Sequence, residues 1–166
     1  IAFGELANIY RKKSNFKVVG ITGSNGKTTT KEILAELLAE KYSVVKTAAN
    51  NNNHIGVPLT LFAANSQTEV VVLEMGTNHL GEMDYIAKIA EPDFSLITNI
   101  GESHLEYLND SITVYKEKSA LFKNTKSDSG KIFINLDDKI IKSNKKDFFN
   151  TITYGFSGKP DIKGKT

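Results

Sequence analysis

The chain has 166 residues, a net charge of only +2 and no cysteine, which fits one domain with a sizeable core and excludes a disulfide framework or thiolate metal site. Its charges are spread along the sequence, so no electrostatic footprint for nucleic acid or a membrane surface stands out, and no apolar run approaches the ~20 residues of a membrane span. With no basic-then-apolar leader, a soluble cytoplasmic protein is expected; the opening on Ile1 and the closing Lys-Gly-Lys-Thr suggest a piece of something longer.

In chain order, residues 3–12 read as a helix, within a leading connector at 1–15. A β-type run predicts a strand at 17–22, and Gly23-Ser24-Asn25-Gly26-Lys27-Thr28-Thr29 follows it directly. Gly23 and Gly26 let the backbone turn tightly and bring its N–H groups to an anion, while a helix starting near Lys27 aims its positive dipole end at the same place. Lys27 adds a full charge for terminal phosphates, and the hydroxyl of Thr28 or Thr29 offers a hard oxygen to Mg²⁺. Only two residues separate the glycines, so this is a shortened phosphate loop. A glycine turn that binds nothing is the bland alternative.

The helix after the loop is predicted over 27–42 with Ile33, Leu34, Leu37 and Leu38 on one side. Further strands are predicted at 43–46, 69–74, 94–98, 131–135 and 151–155, and a helix at 81–90 packs Met83, Ile86, Ala87 and Ala90. This alternation predicts an α/β fold, a mostly parallel sheet flanked by helices on both faces.

Ligands in such sheets sit beyond the carboxyl ends of the strands, which directs attention to three tips. The first delivers Thr22 and Gly23, the third ends in Glu74 and the fourth leads through Thr98 and Asn99 to His104. Glu74 follows four apolar residues, so its carboxylate needs a cation or donors; it either faces a metal or caps a loop or the next helix. His104 is either a metal or phosphate contact or a surface residue. On a wheel for 111–122, Ile112, Val114, Tyr115, Leu121 and Phe122 define an apolar arc that includes Lys118, with Lys116 and Glu117 pointing elsewhere. Lys118 must find an anion, lose its proton, be chemically altered or snorkel to water. The run Asn50-Asn51-Asn52-Asn53 predicts a loop at the ligand edge whose amides could hold a base or substrate group, with His54 and His79 structural.

These residues resemble the Mur ligases, ATP-dependent enzymes that add amino acids to the peptidoglycan precursor. The loop Gly23 to Thr29 is similar to their short P-loop. Asn52 to Leu61, Leu73 to Glu82 and Ile97 to Glu106 resemble the D-alanyl-D-alanine-adding, MurF-type members. The resemblance covers 17 to about 122, and more loosely 135–138. It implies that residues 1–166 are a P-loop-containing central ATP-binding domain, with N-terminal uridine-nucleotide and C-terminal domains lying outside it.

The resemblance further implies that Gly23, Ser24, Asn25, Gly26, Lys27, Thr28 and Thr29 bind ATP, with Asn50 and Asn53 near the nucleotide. Thr28 would hold a first Mg²⁺, and Glu74, His104 and Lys118 a second, with Lys118 carbamylated by CO₂. Lys27, Glu74, His104 and Lys118 are thus the implied catalytic set. The implied substrates are ATP, the UDP-N-acetylmuramoyl tripeptide and D-alanyl-D-alanine, joined through an acyl phosphate; a monomer without nucleic-acid or membrane partners is expected, inactive as this piece alone. Asn51, Ala49 and Ala120 depart from the family pattern, where an aromatic, a glycine and an acidic residue are common. Another ligase of the superfamily, such as the enzymes adding glutamate to folate, a small-molecule kinase and a nucleotide-sensing domain are the alternative readings.

Overall fold

The β-branched runs of the sequence form the strands of one sheet in the computed structural model, which describes residues 2–101 and 110–165. In chain order the elements are α1 (Ala2–Lys13), β1 (Lys17–Thr22), α2 (Lys27–Ala39), β2 (Val44–Lys46), α3 (Gly56–Ala63), β3 (Val70–Glu74), α4 (Glu82–Ala90) and β4 (Phe94–Ile97). There follow α5 (Ser111–Lys118), α6 (Ala120–Lys123), β5 (Lys131–Asn135), α7 (Lys139–Ser143), β6 (Thr151–Gly155) and β7 (Ile162–Lys163). The strand order is β2-β3-β1-β4-β5-β6-β7 and every pairing is parallel. All the predicted strands lie within a residue of their expected bounds; the two-residue β7 at the sheet edge is additional.

Side-chain alternation sends the strands' apolar residues to two covered faces. Val18, Val71 and Leu73 meet Ala7 of α1, Leu61 of α3, Met83 and Ile86 of α4 and Leu121 of α6. Their neighbours Ile21, Val70 and Val72 meet Ala35 of α2 on the other face. Beside the first cluster, Ile97, Ile132 and Ile134 pack on Val114, Tyr115, Phe122 and Ile141 from α5, α6 and α7. The helices therefore cover both faces, with α2 alone on one among the described residues. Helix α4 buries Met83, Ile86, Ala87 and Ala90 as its periodicity predicts.

Three local expectations need correction. The inner stripe of α2 is Lys31 and Ala35 with half-buried Leu34 and Leu38, whereas Ile33 is 54% and Leu37 67% exposed. A lysine occupies the centre of that stripe. The segment 111–122 is broken at Ser119 into α5 and α6, with Ile112 exposed and Glu117 buried although it lies off the predicted apolar arc. Helix α3, unanticipated, begins where Asn53 Oδ1 accepts the N–H groups of Ile55 and Gly56, both at 3.0 Å.

Helix α1 is tied into the core as well as leading into it. Arg11 and Asp93 form a buried ion pair at 2.6 Å, and the guanidinium also donates to the carbonyls of Phe16, Ala90 and Glu91. Burial pushes the Asp93 carboxyl up, but the Val18 N–H and the Arg11 charge outweigh it and leave it below its usual range. Removing one member of such a pair strands the other in a dry site. Asp93→Ala is accordingly expected to lower unfolding stability by about 3–5 kcal/mol, read as a fall in the urea midpoint.

Candidate nucleotide and metal site

Strand β1 hands over to α2 through a turn that only glycine can make. Gly23 adopts φ 149° and Gly26 φ 76°, and a Cβ on Gly23 would lie 1.9 Å from Thr98 Oγ1. The loop is pinned to the tip of β4. Ser24 N–H donates to the Asn99 carbonyl at 3.0 Å, Asn25 N–H to Asn99 Oδ1 at 3.1 Å, and Gly101 N–H to Ser24 Oγ at 2.9 Å. Thr98 Oγ1 returns a bond to the Asn25 carbonyl at 2.6 Å. Gly23→Ala is therefore expected to push Thr98 and the loop apart and to abolish nucleotide binding in titration calorimetry.

With the loop fixed, the start of α2 faces outward without a side-chain cap. Its first-turn N–H groups have no partner inside the helix, so the cradle presents donors and a positive dipole end together. Lys27 is half-buried and its ammonium donates to the Gly23 carbonyl at 2.9 Å and the Ser24 carbonyl at 3.4 Å. Burial lowers its pKa and Glu74 works in the opposite direction. Thr28 and Thr29 are exposed on the same turn.

Glu74 ends β3 in register with Ile21 of the adjacent β1. It is 2% exposed; Oε1 accepts from Asn52 Nδ2 at 2.9 Å, and Oε2 has no hydrogen bond among the described residues. An orphaned buried carboxylate oxygen is uncommon, and a hard divalent cation is a partner that would satisfy it. Thr28 and Glu74 carry oxygen donors of the hard type that would suit Mg²⁺. His104 lies outside the described residues. Among those described, no group of three or more acidic or imidazole side chains forms a ready-made metal cage.

Lys118 is 1% exposed, and its ammonium makes no hydrogen bond among the described residues. Burial, then the charge of Lys27, pushes its pKa down to about 8 against the opposing pull of Glu117. Glu117 is itself buried. It accepts from Gly81 N–H and Met83 N–H, both at 2.7 Å, and from Thr77 Oγ1 at 3.0 Å, fastening the start of α4 beside Lys118.

The asparagine run enters the site through Asn52, while Asn53 caps α3 and Asn50 is exposed. Gly76 makes room for it, because a Cβ there would come 2.7 Å from Asn52 Oδ1. His54 is exposed, and His79 is exposed and bonded to Glu82 at 3.0 Å. Sequence reasoning did not single out Lys31, Thr47, Asn52 or Glu117. For Lys31 the signal is available in principle, since it shares the stripe of Lys27, Leu34, Ala35 and Leu38 on a helical wheel.

Residues 21–166 match the Mur ligase middle domain. The chain belongs to that family. This Mur ligase middle domain is 44% identical over 133 residues to the UDP-N-acetylmuramoyl-tripeptide–D-alanyl-D-alanine ligase of Bacillus subtilis, covering 80% of the chain and 29% of the relative. It is 35% identical over 166 residues to the same-named ligase of Synechocystis, covering 99% of the chain and 36% of the relative. Among solved structures, it superposes on MurF from Acinetobacter baumannii with a TM-score of 0.88 at 32% identity, covering 95% of this chain and 35% of that one. MurF from Thermotoga maritima in complex with ADP gives 0.87 at 34% identity, with 95% and 36% covered. The chain thus spans about a third of the length of these relatives. No helix among the described residues is long and apolar enough to cross a membrane.

Proposed function

We propose that this chain is the ATP- and Mg²⁺-binding part of a cytoplasmic ligase that adds D-alanyl-D-alanine to a UDP-N-acetylmuramoyl tripeptide during peptidoglycan precursor synthesis. The observation that carries the reading is the pairing of an uncapped glycine-loop helix start with the orphaned Glu74 oxygen on the neighbouring strand. The ligases named above, and the ADP-bound relative from Thermotoga maritima, support the choice of nucleotide and substrates.

On this reading the loop and first-turn amides of α2 bind the β- and γ-phosphates. Lys27 trades its carbonyl partners Gly23 and Ser24 for a γ-phosphate oxygen. Thr28 would hold one Mg²⁺ and Glu74 a second, with His104 the further ligand that the family resemblance implies, and such ions would supply positive charge against that building on the transferring phosphoryl group. Lys118, with its lowered pKa, offers a neutral amine whose lone pair attacks CO₂; loss of one proton to water leaves a carbamate anion in place of a buried cation. The tripeptide carboxylate then displaces ADP from the γ-phosphate, and the incoming amine displaces phosphate from the acyl phosphate. The substrate carboxylate and amine are held by parts of the protein outside these residues, and the working protein is a monomer without nucleic-acid or membrane partners.

Calorimetry of this chain with magnesium and a non-hydrolysable ATP analogue should show binding, and absence of heat would sink the proposal. The full-length protein should release phosphate only when ATP, the tripeptide and D-alanyl-D-alanine are all present. The chain alone should release none; turnover by the chain itself would favour a kinase.

A further inference from the structure

Lys31 is a buried cation to which the phosphate chemistry assigns no task. It sits one helical turn beyond Lys27 on α2, and none of its surface reaches solvent. Its ammonium carries three donors. It donates to the Thr47 carbonyl at 2.9 Å and lies 2.8 Å from Glu32 Oε1. The next neighbour is Glu74 Oε2 at 3.9 Å, beyond hydrogen-bond range, and this is the oxygen that has no hydrogen bond. Thr47 ties the two together, because its hydroxyl also accepts the backbone N–H of Glu74 at 3.0 Å. On the far side, Glu32 is shared with Lys46, which binds its other carboxylate oxygen.

An ammonium at this distance attracts the carboxylate without occupying its lone pair. We propose that Lys31 is a positioning residue that serves as the counter-charge of Glu74 while no metal is bound and competes with a divalent cation for it, so that Lys31 sets how tightly the site takes metal. Because Lys31 is divided between two carboxylates, Glu32 is the other arm of the balance. With Glu32 neutral, Lys31 leans wholly on Glu74 and holds it away from an incoming cation. The inference rests on Glu74 facing metal.

The test uses Mn²⁺ as the probe, with free Mn²⁺ counted by electron paramagnetic resonance and melting followed with and without Mn²⁺. The 166-residue chain is kept saturated with a non-hydrolysable ATP analogue. Lys31→Met should bind Mn²⁺ about tenfold more tightly and gain a larger Mn²⁺-dependent rise in Tm, even though its metal-free form melts lower. Glu32→Gln, at a side chain 42% exposed and so tolerant of change, should bind Mn²⁺ several-fold more weakly. Glu36→Gln, an exposed charge on the same helix, controls for general loss of negative potential and should stay near the wild type. If Lys31→Met fails to fold, Glu32→Gln against Glu36→Gln still decides. Unchanged Mn²⁺ affinity in Lys31→Met and Glu32→Gln, or equal weakening by Glu32→Gln and Glu36→Gln, overturns the proposal. A wild-type chain that takes up no Mn²⁺ overturns the metal reading of Glu74, and this inference with it.

Discussion

Lys27→Ala is expected to reduce kcat/KM of the full-length protein in the proposed ligation by on the order of 10³ while leaving the melting temperature of the chain nearly unchanged. The two outcomes separate because of where the side chain sits. Among the described residues its ammonium bonds to the Gly23 and Ser24 carbonyls alone, at a half-buried edge of the sheet, so truncation removes little packing. It is also a positive charge beside the uncapped end of α2, and phosphoryl transfer depends on such charges being in place when the transition state forms. Calorimetry on the same variant should show nucleotide affinity falling together with rate. A Lys27→Ala protein with wild-type turnover would remove the phosphate loop from the mechanism.

Lys118→Met is expected to move stability and activity in opposite directions. The wild-type ammonium is buried without a hydrogen bond among the described residues, and its pKa is pushed from 10.5 down to about 8. Below pH 8 the folded and unfolded chains both carry the proton, and the folded chain bears the full cost of burying it, about 3 kcal/mol. Methionine fills similar space without charge, so the variant should melt roughly 4–8 °C higher at pH 7 in CO₂-free buffer. Between pH 8 and 10.5 the folded wild type releases its proton while the unfolded chain still holds one, so wild-type stability climbs and the gap to Lys118→Met narrows. At pH 7 about a tenth of Lys118 is neutral, against about one in 3,000 for an unperturbed lysine, which favours reaction with CO₂. The full-length variant should lose activity by on the order of 10², partly restored by a short added carboxylate. Equal melting temperatures across this pH range would show that Lys118 is not held as a buried charge.

Much of the architecture is legible from local pattern. Val70 to Leu73 is an unbroken β-branched and apolar run, and a strand buried on both faces is the arrangement that hides all of it from water. The loop from Gly23 to Thr29 is equally legible, because a positive φ, a close approach to Thr98 and an uncapped helix start each restrict the residue types allowed. Lys118 is legible as an oddity on an apolar arc, although the helix breaks at Ser119 and the arc includes the exposed Ile112.

The sequence by itself determined the parallel α/β order, the glycine loop between the first strand and its helix and the presence of an acidic group at the tip of the third strand, because each follows from residues close together in the chain. Only the tertiary structure decided which polar groups become partners: Asn52 rather than Asn50 or Asn53 on Glu74, Lys31 beneath it, and Glu117 clasping the start of α4. Those choices join residues 22 to 43 positions apart. They are set by sheet order, which places β1 between β3 and β4, and by the high free-energy cost of leaving a buried charge alone.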